Sequence, residues 1–234
     1  MYVRHLLRYL APTVCGGCGV EMQDAPEPRR PEACAPEACG PDACKPEACA
    51  LPGEASALCS ACLTLTEAGG PAALYAYEGP LRDLVTRAKF RGELELAGRL
   101  ARMTASEVRR RFPHTALVTT VPSEARRIRE RGGSLSDCFA RATAKTCGWR
   151  FVPRLVALRG SAPPQRDLDR EARMHATAGR FLATRRALRW RDKHLPILVC
   201  DDVRTTGASL AATVAALHDA GFSRVESCAI AQSL

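Results

Sequence analysis

Apolar residues change their spacing along this chain, and each change marks an element. Near the N-terminus Leu6, Leu7 and Leu10 recur at helical spacing with Arg4, His5 and Arg8 between them, the pattern of a short amphipathic helix. From about Leu74 strand and helix signals alternate. Tyr75 to Val85 reads as a strand, a turn at Gly79-Pro80 and a helix that carries Lys89-Phe90-Arg91-Gly92 at its end. Leu94, Leu96, Leu100 and Met103 continue an apolar stripe into a basic helix ending at Arg111. Thr115 to Val121 is the next buried strand, stopped by Pro122. Ile197-Leu198-Val199-Cys200 shows no alternation at all, as expected of a strand covered on both faces, and Leu210, Val214 and Leu217 then space out a helix. Strands alternating with helices predict an α/β fold, a mostly parallel twisted sheet flanked by helices.

The link between that last strand and helix carries the chemistry. Asp201-Asp202-Val203-Arg204-Thr205-Thr206-Gly207-Ala208-Ser209 follows the apolar run directly, and ligands of parallel sheets sit at the carboxyl ends of strands. The amides and hydroxyls of Thr205, Thr206, Gly207 and Ser209 converge with the helix N-terminus where a phosphate is stabilised. Gly207 lets the backbone approach the anion closely. Two adjacent carboxylates repel a phosphate, so their partners are vicinal hydroxyls, Mg²⁺, or both. The combination suits a ribose 5-phosphate. The plainer alternative is an acid-rich turn that caps a helix. The string resembles the signature of type I phosphoribosyltransferases, which implies that the acid pair holds the ribose hydroxyls and the Thr-Thr-Gly loop the 5-phosphate of phosphoribosyl pyrophosphate.

Composition adds a compartment and a second module. The chain has 234 residues, a formal net charge of +9 and 46% hydrophobic residues, enough for one good-sized domain and a small module with an anionic partner. The arginines at 109–111, 126–131 and 185–186 are spread along helix faces, and 5% aromatic content gives few stacking platforms for single strands. No apolar run approaches the roughly 20 residues of a membrane span, and residues 1–14 lack the continuous apolar core of a signal peptide. These features predict a cytoplasmic protein without a membrane span.

Cysteines fall into three groups. Cys15-Gly16-Gly17-Cys18 and Cys59-Ser60-Ala61-Cys62 are two C-x-x-C knuckles whose four thiolates make a candidate closed, structural zinc site. Zinc binding of roughly 10–16 kcal/mol would fold a module too small to fold by burial. The rival for either pair is redox chemistry, which calls for a strand before the motif and a helix after it. Between the knuckles runs a tandem pentapeptide, Pro-Glu/Asp-Ala-Cys-x, with Cys34, Cys39, Cys44 and Cys49. Proline every fifth residue forbids regular helix or central strand, so residues 23–56 read as a disordered insertion, with a metal-scavenging or redox-sensing thiol cluster as the functional alternative. Cys138, Cys147, Cys200 and Cys228 sit in apolar surroundings and read as small core residues. The resulting boundaries are 1–70 for the zinc module and 71–234 for the larger domain.

After Pro122 come Arg126, Arg127, Arg131 and Gly132-Gly133-Ser134, read as a basic glycine loop suited to pyrophosphate oxygens. Together the four-cysteine module, Tyr77-Glu78-Gly79…Arg82…Lys89-Phe90-Arg91-Gly92, Val121-Pro122…Arg131-Gly132 and the acid-pair string resemble the ComF family over nearly the whole chain except the insertion. A further family block, Gln165-Arg166-Asp167-Leu168, Arg173, Gly179 and Phe181, implies a mobile flap over the substrate; an ordinary charged surface loop is the alternative. The resemblance implies Mg²⁺-phosphoribosyl pyrophosphate as ligand and a structural zinc. It implies Asp201, Asp202 and Arg131 as catalytic residues, with Val203 to Ser209, Gly132, Lys89 and Arg173 as substrate contacts. Two departures stand out: Gly133-Ser134-Leu135 where the family has Phe-Asn-Gln, and Ala176 where it has asparagine. Both remove hydrogen-bonding side chains from the pyrophosphate side, which leaves open a regulator that binds without turnover. Because the family also implies competence proteins, a partner among single-stranded DNA or a DNA-uptake helicase is the rival from another class. The acid pair discriminates, since DNA sugars lack the 2-hydroxyl.

Overall fold

The computed structural model describes residues 65–130, 132–159 and 179–233, together with Leu58 and Cys62. Arg131, Arg173, Ala176, Cys15, Cys18, Cys59 and the pentapeptide repeat lie outside the described residues.

Seven strands and six helices follow one another as β1 (Ala73–Ala76), α1 (Gly79–Phe90), α2 (Glu95–Arg111), β2 (Leu117–Thr120), α3 (Ala125–Glu130), α4 (Leu135–Cys147), β3 (Arg150–Phe151), β4 (Val156–Leu158), β5 (Phe181–Ala183), α5 (Arg185–Arg191), β6 (Ile197–Arg204), α6 (Ala208–Asp219) and β7 (Val225–Gln232) among the described residues. Five strands form a sheet in the order β1-β7-β6-β2-β3, with every pairing parallel. The expected α/β architecture with a mostly parallel sheet flanked by helices is thus observed. Successive residues of a strand point to opposite faces, and the apolar runs serve both. Val118, Leu198, Cys200 and Ile230 pack with Leu84, Leu100 and Phe139 on one face. Leu117, Ile197, Val199 and Ala229 pack with Leu210, Leu217 and Phe222 on the other. Burying each such leucine stabilises the fold by about 1.5–3 kcal/mol. Leu58 and Cys62, one just before and one within the second C-x-x-C knuckle, belong to the first of these clusters and pack in the core of the larger domain.

The strand order creates a switch point. β2 leads through α3 and α4 to β3 on one side, whereas β6 leads through α6 to β7 on the other. The crossovers diverge between neighbouring strands β2 and β6, opening a crevice at their carboxyl ends.

The apolar pattern misplaced two boundaries. β6 runs four residues past the apolar run, to Arg204, so both acids lie within the strand and not in a loop after it. In-register pairing of Asp201 with Ala229, Val203 with Ala231 and Arg204 with Gln232 overrides the low strand propensity of aspartate. The first part of the expected basic loop is the helix α3, where Arg126 pairs with Glu130 one turn on at 2.7 Å.

A second, two-stranded antiparallel sheet joins β4 and β5 and forms the base of the segment read as a flap, whose middle, 160–178, lies outside the described residues. Cys147, Cys200 and Cys228 are buried and Cys138 half-buried. Burial pushes the Cys147 thiol up to about 11 and the Cys228 thiol to about 12, so these cysteines are protonated core residues. None of the helices among the described residues is long and apolar enough to cross a membrane.

Candidate functional site at the sheet switch point

A cavity of about 260 Å³ opens at the carboxyl ends of β2 and β6. One wall carries Lys89 from α1, Asp201 and Asp202 from β6 and Ser209 from α6. The residues after β2, Val121 to Glu124, continue round it with Arg127 and Ile128 of α3. Gly133, Ser134 and Leu135 enter at the start of α4, and Leu158, Arg180 and Phe181 from the β4–β5 ribbon.

The acid pair is built into this cavity by short local bonds. Asp202 Oδ1 lies 2.8 Å from Lys89 Nζ, with both side chains largely buried, and accepts from the Val203 amide at 2.6 Å. Asp201 Oδ1 accepts from the Asp202 amide at 2.9 Å and from the Ser136 hydroxyl at 3.3 Å. Burial first, and the neighbouring Asp202 charge second, push the Asp201 carboxyl up to about 7, against the pull of its hydrogen bonds and of Lys89. At neutral pH the site therefore holds an acid poised between charge states, which a cation or a pair of sugar hydroxyls would settle as the carboxylate. Two carboxylates are also the number with which Mg²⁺ is held when substrate phosphates complete its shell.

The start of α4 explains the departures at 133–135. Ser134 is the N-cap of α4, its hydroxyl accepting from the Asp137 amide at 3.1 Å. Asp137 in turn accepts from the Thr120 hydroxyl at 2.6 Å, which ties the end of β2 to α4. A Cβ at Gly133 would lie 2.4 Å from Leu94 Cδ1, so a bulky residue there requires Leu94 to move. Serine and glycine at these positions serve the cap and the packing of Leu94.

The Thr-Thr-Gly turn is placed differently from the acids. Gly207 is left-handed (φ +78°) and is the N-cap of α6, and a Cβ there would lie 2.6 Å from Arg204 Nε. Arg204 donates from Nη1 to Gln232 Oε1 at 2.8 Å, so its side chain bridges the turn to β7. The Thr206 hydroxyl accepts from the Ala208 amide at 3.3 Å. Val203 packs against the core. Of residues 203–209 Ser209 lines the cavity, and the other six do not. Gly132, left-handed at φ +70°, turns the chain between α3 and α4 without lining the cavity. The structure thus brings Lys89, Asp201, Asp202 and Ser209 together; Arg131, Arg173, Cys15, Cys18 and Cys59 lie outside the described residues.

Glu124, Ser136 and Arg180 escaped the sequence reading. Glu124 had a signal, two residues past the proline that ends β2 and so at the carboxyl edge of the sheet. Arg180 stands beside the flap residues Gly179 and Phe181 but carried no pattern of its own.

No protein-family model matches this chain, and no curated protein matches it. Its chemistry is read from its own geometry.

Proposed function

We propose that this chain is a type I phosphoribosyltransferase-like protein that binds Mg²⁺-phosphoribosyl pyrophosphate in the switch-point cavity. The observation that carries the reading is the pair Asp201 and Asp202, held at the carboxyl end of a central parallel strand beside Lys89 and lining one cavity with Ser209. In this reading the two carboxylates accept from the ribose 2- and 3-hydroxyls and share the Mg²⁺ that accompanies the pyrophosphate. Ser209 and the first-turn amides of α6 take the 5-phosphate, aided by the positive end of the helix. Lys89 pairs with Asp202 at 2.8 Å and so holds its carboxylate in place as an acceptor. Arg131, one residue past α3, and Arg173 of the flap segment supply positive charge for departing pyrophosphate. The chain then contributes positioning and electrostatics, with Asp201 and Asp202 opposite the anomeric carbon as positive charge grows there. A structural zinc at Cys15, Cys18, Cys59 and Cys62 completes the proposal.

Calorimetric titration with Mg²⁺-phosphoribosyl pyrophosphate, beside a single-stranded oligonucleotide at near-physiological salt, tests it. Saturable binding of the sugar phosphate that Asp202→Asn abolishes is expected. Binding of the oligonucleotide alone would sink the ribose assignment and favour a DNA-handling role.

A further inference from the structure

We propose that a basic face built by α5 and the β3–β4 turn is the docking surface for the acidic pentapeptide repeat of this same chain. Arg150, Arg154, Arg185, Arg186, Arg189 and Lys193 are exposed, and none of them forms an ion pair with another described residue. They share one surface. The Thr184 hydroxyl, at the N-cap of α5, donates to the Arg154 carbonyl at 2.8 Å. Arg150 and Lys193 stand 5.0 and 4.8 Å from the centre of the Trp190 ring in the last turn of α5, which fixes two of the charges in place. Arg185 and Arg189 are one turn apart, a spacing at which like charges repel. The acid nearest in sequence, Asp192, is taken by Arg191 at 3.0 Å. A face that needed only solvation would intersperse both signs. Leu182 of β5 and Leu188 of α5, 45% and 46% exposed, lie among these charges. The face therefore suits a partner that brings carboxylates and small apolar groups together, whereas a bare phosphate backbone would leave both leucines wet.

The chain carries such a segment itself. Residues 23–56 hold seven acids and three bases, a net charge of −4 that leaves +13 on the remainder. Glu32, Glu37, Asp42 and Glu47 recur every five residues with prolines and alanines between them. These acids precede Leu58, which is packed in the core, by 11 to 26 residues. At roughly 3.3 Å per extended residue the nearest can reach about 36 Å and the farthest about 85 Å, against a radius of gyration of ~15 Å for a domain of this size. Tethering gives the repeat an effective concentration in the millimolar range, so individually weak, exposed ion pairs suffice. The docked repeat keeps other polyanions off the face. None of the six cations lines the switch-point cavity, so this docking stands or falls apart from the proposed ligand.

The test uses the full chain and a water-soluble carbodiimide, which joins carboxylates to amines already in contact. Lys193 is the amine of the face; Lys145, exposed on α4 on the opposite side of the sheet, is the control. Peptide mass spectrometry should find Lys193 linked to Glu32, Glu37, Asp42 or Glu47 within one molecule, about fivefold or more above Lys145, and the excess should vanish at ~1 M salt. Equal coupling of the two lysines, or links seen only as covalent dimers, would overturn the docking. A short DNA duplex serves as a competing polyanion. Changing Glu32→Gln, Glu37→Gln, Asp42→Asn and Glu47→Gln together should tighten its binding about fivefold, and the gain should disappear when Arg185, Arg186 and Arg189 are also made serine. A duplex that binds the unmodified chain as tightly as the neutralised one would overturn the docking and assign the face to nucleic acid. Coupling on the unmodified protein decides the matter even if a variant fails to fold.

Discussion

Asp201→Asn should make the ligand-free protein more stable, and increasingly so as pH rises. The Asp201 carboxyl is raised from 3.8 to about 7 by burial and by Asp202, so the folded chain holds this proton more tightly than the unfolded chain does. Stability is therefore lost as pH rises from the unfolded value to the folded one, and the full loss persists above about 7. Linkage makes the penalty small at pH 4, under about 1 kcal/mol, and of the order of 4 kcal/mol at pH 8. The latter is an upper bound, because burial of the asparagine amide carries its own smaller cost. Asparagine removes the ionisation while its amide oxygen still accepts from Ser136 and from the Asp202 amide. Urea unfolding of both proteins at pH 4 and pH 8 gives the difference directly. A gain for the variant at pH 8 exceeding that at pH 4 by about 2 kcal/mol or more is expected. Equal differences at the two pH values, or a variant less stable at pH 8, would refute the electrostatic account. If the site takes its ligand with Asp201 ionised, affinity for Mg²⁺-phosphoribosyl pyrophosphate should also fall as pH drops below 7, by up to about tenfold per unit.

Lys89→Met leaves the two carboxylates without their nearest cation and should destabilise the fold by about 1–3 kcal/mol at pH 8 and less at pH 4, read from the same urea curves. Gly207→Ala forces a side chain into a left-handed position against Arg204, so a loss of about 1–2 kcal/mol is expected in thermal unfolding. Weaker phosphate-ligand binding should accompany it; unchanged stability would mean the turn relaxes freely. Purified protein should contain stoichiometric zinc by atomic emission, lost in Cys15→Ser and retained when residues 23–56 are replaced by a short Gly/Ser bridge; zinc lost on that replacement would make the repeat a ligand source.

Much of the sheet was legible because its strands are buried on both faces. Thr115 to Val121 announces itself as a short run rich in β-branched residues and Ile197 to Cys200 as an unbroken apolar run, and the stripe from Leu96 through Leu100 is the buried face of α2. The acid pair was legible too, since an Asp-Asp step after such a run has few structural uses. What pairing decides was not legible: β6 continues through Asp201 to Arg204 only because Ala229 to Gln232 lie alongside. Nor was Glu124–Arg180, whose partners come from different elements with no shared spacing to betray them. The departures at Gly133 and Ser134 looked like losses in the chain, and became a helix cap and room for Leu94 once the neighbours were placed.

The parallel sheet also sets an order of assembly. β1 joins it only through β7, roughly 150 positions further along, with Ala73 beside Ala229 and Tyr75 beside Ala231. β7 is likewise the strand that holds β6 straight through its two acids. A ribosome that has made everything up to α6 has therefore made four of the five strands of the sheet, of which β6, β2 and β3 are neighbours while β1 still waits for β7. The cavity at the carboxyl ends of β2 and β6 therefore takes its final form only when β7 closes the sheet.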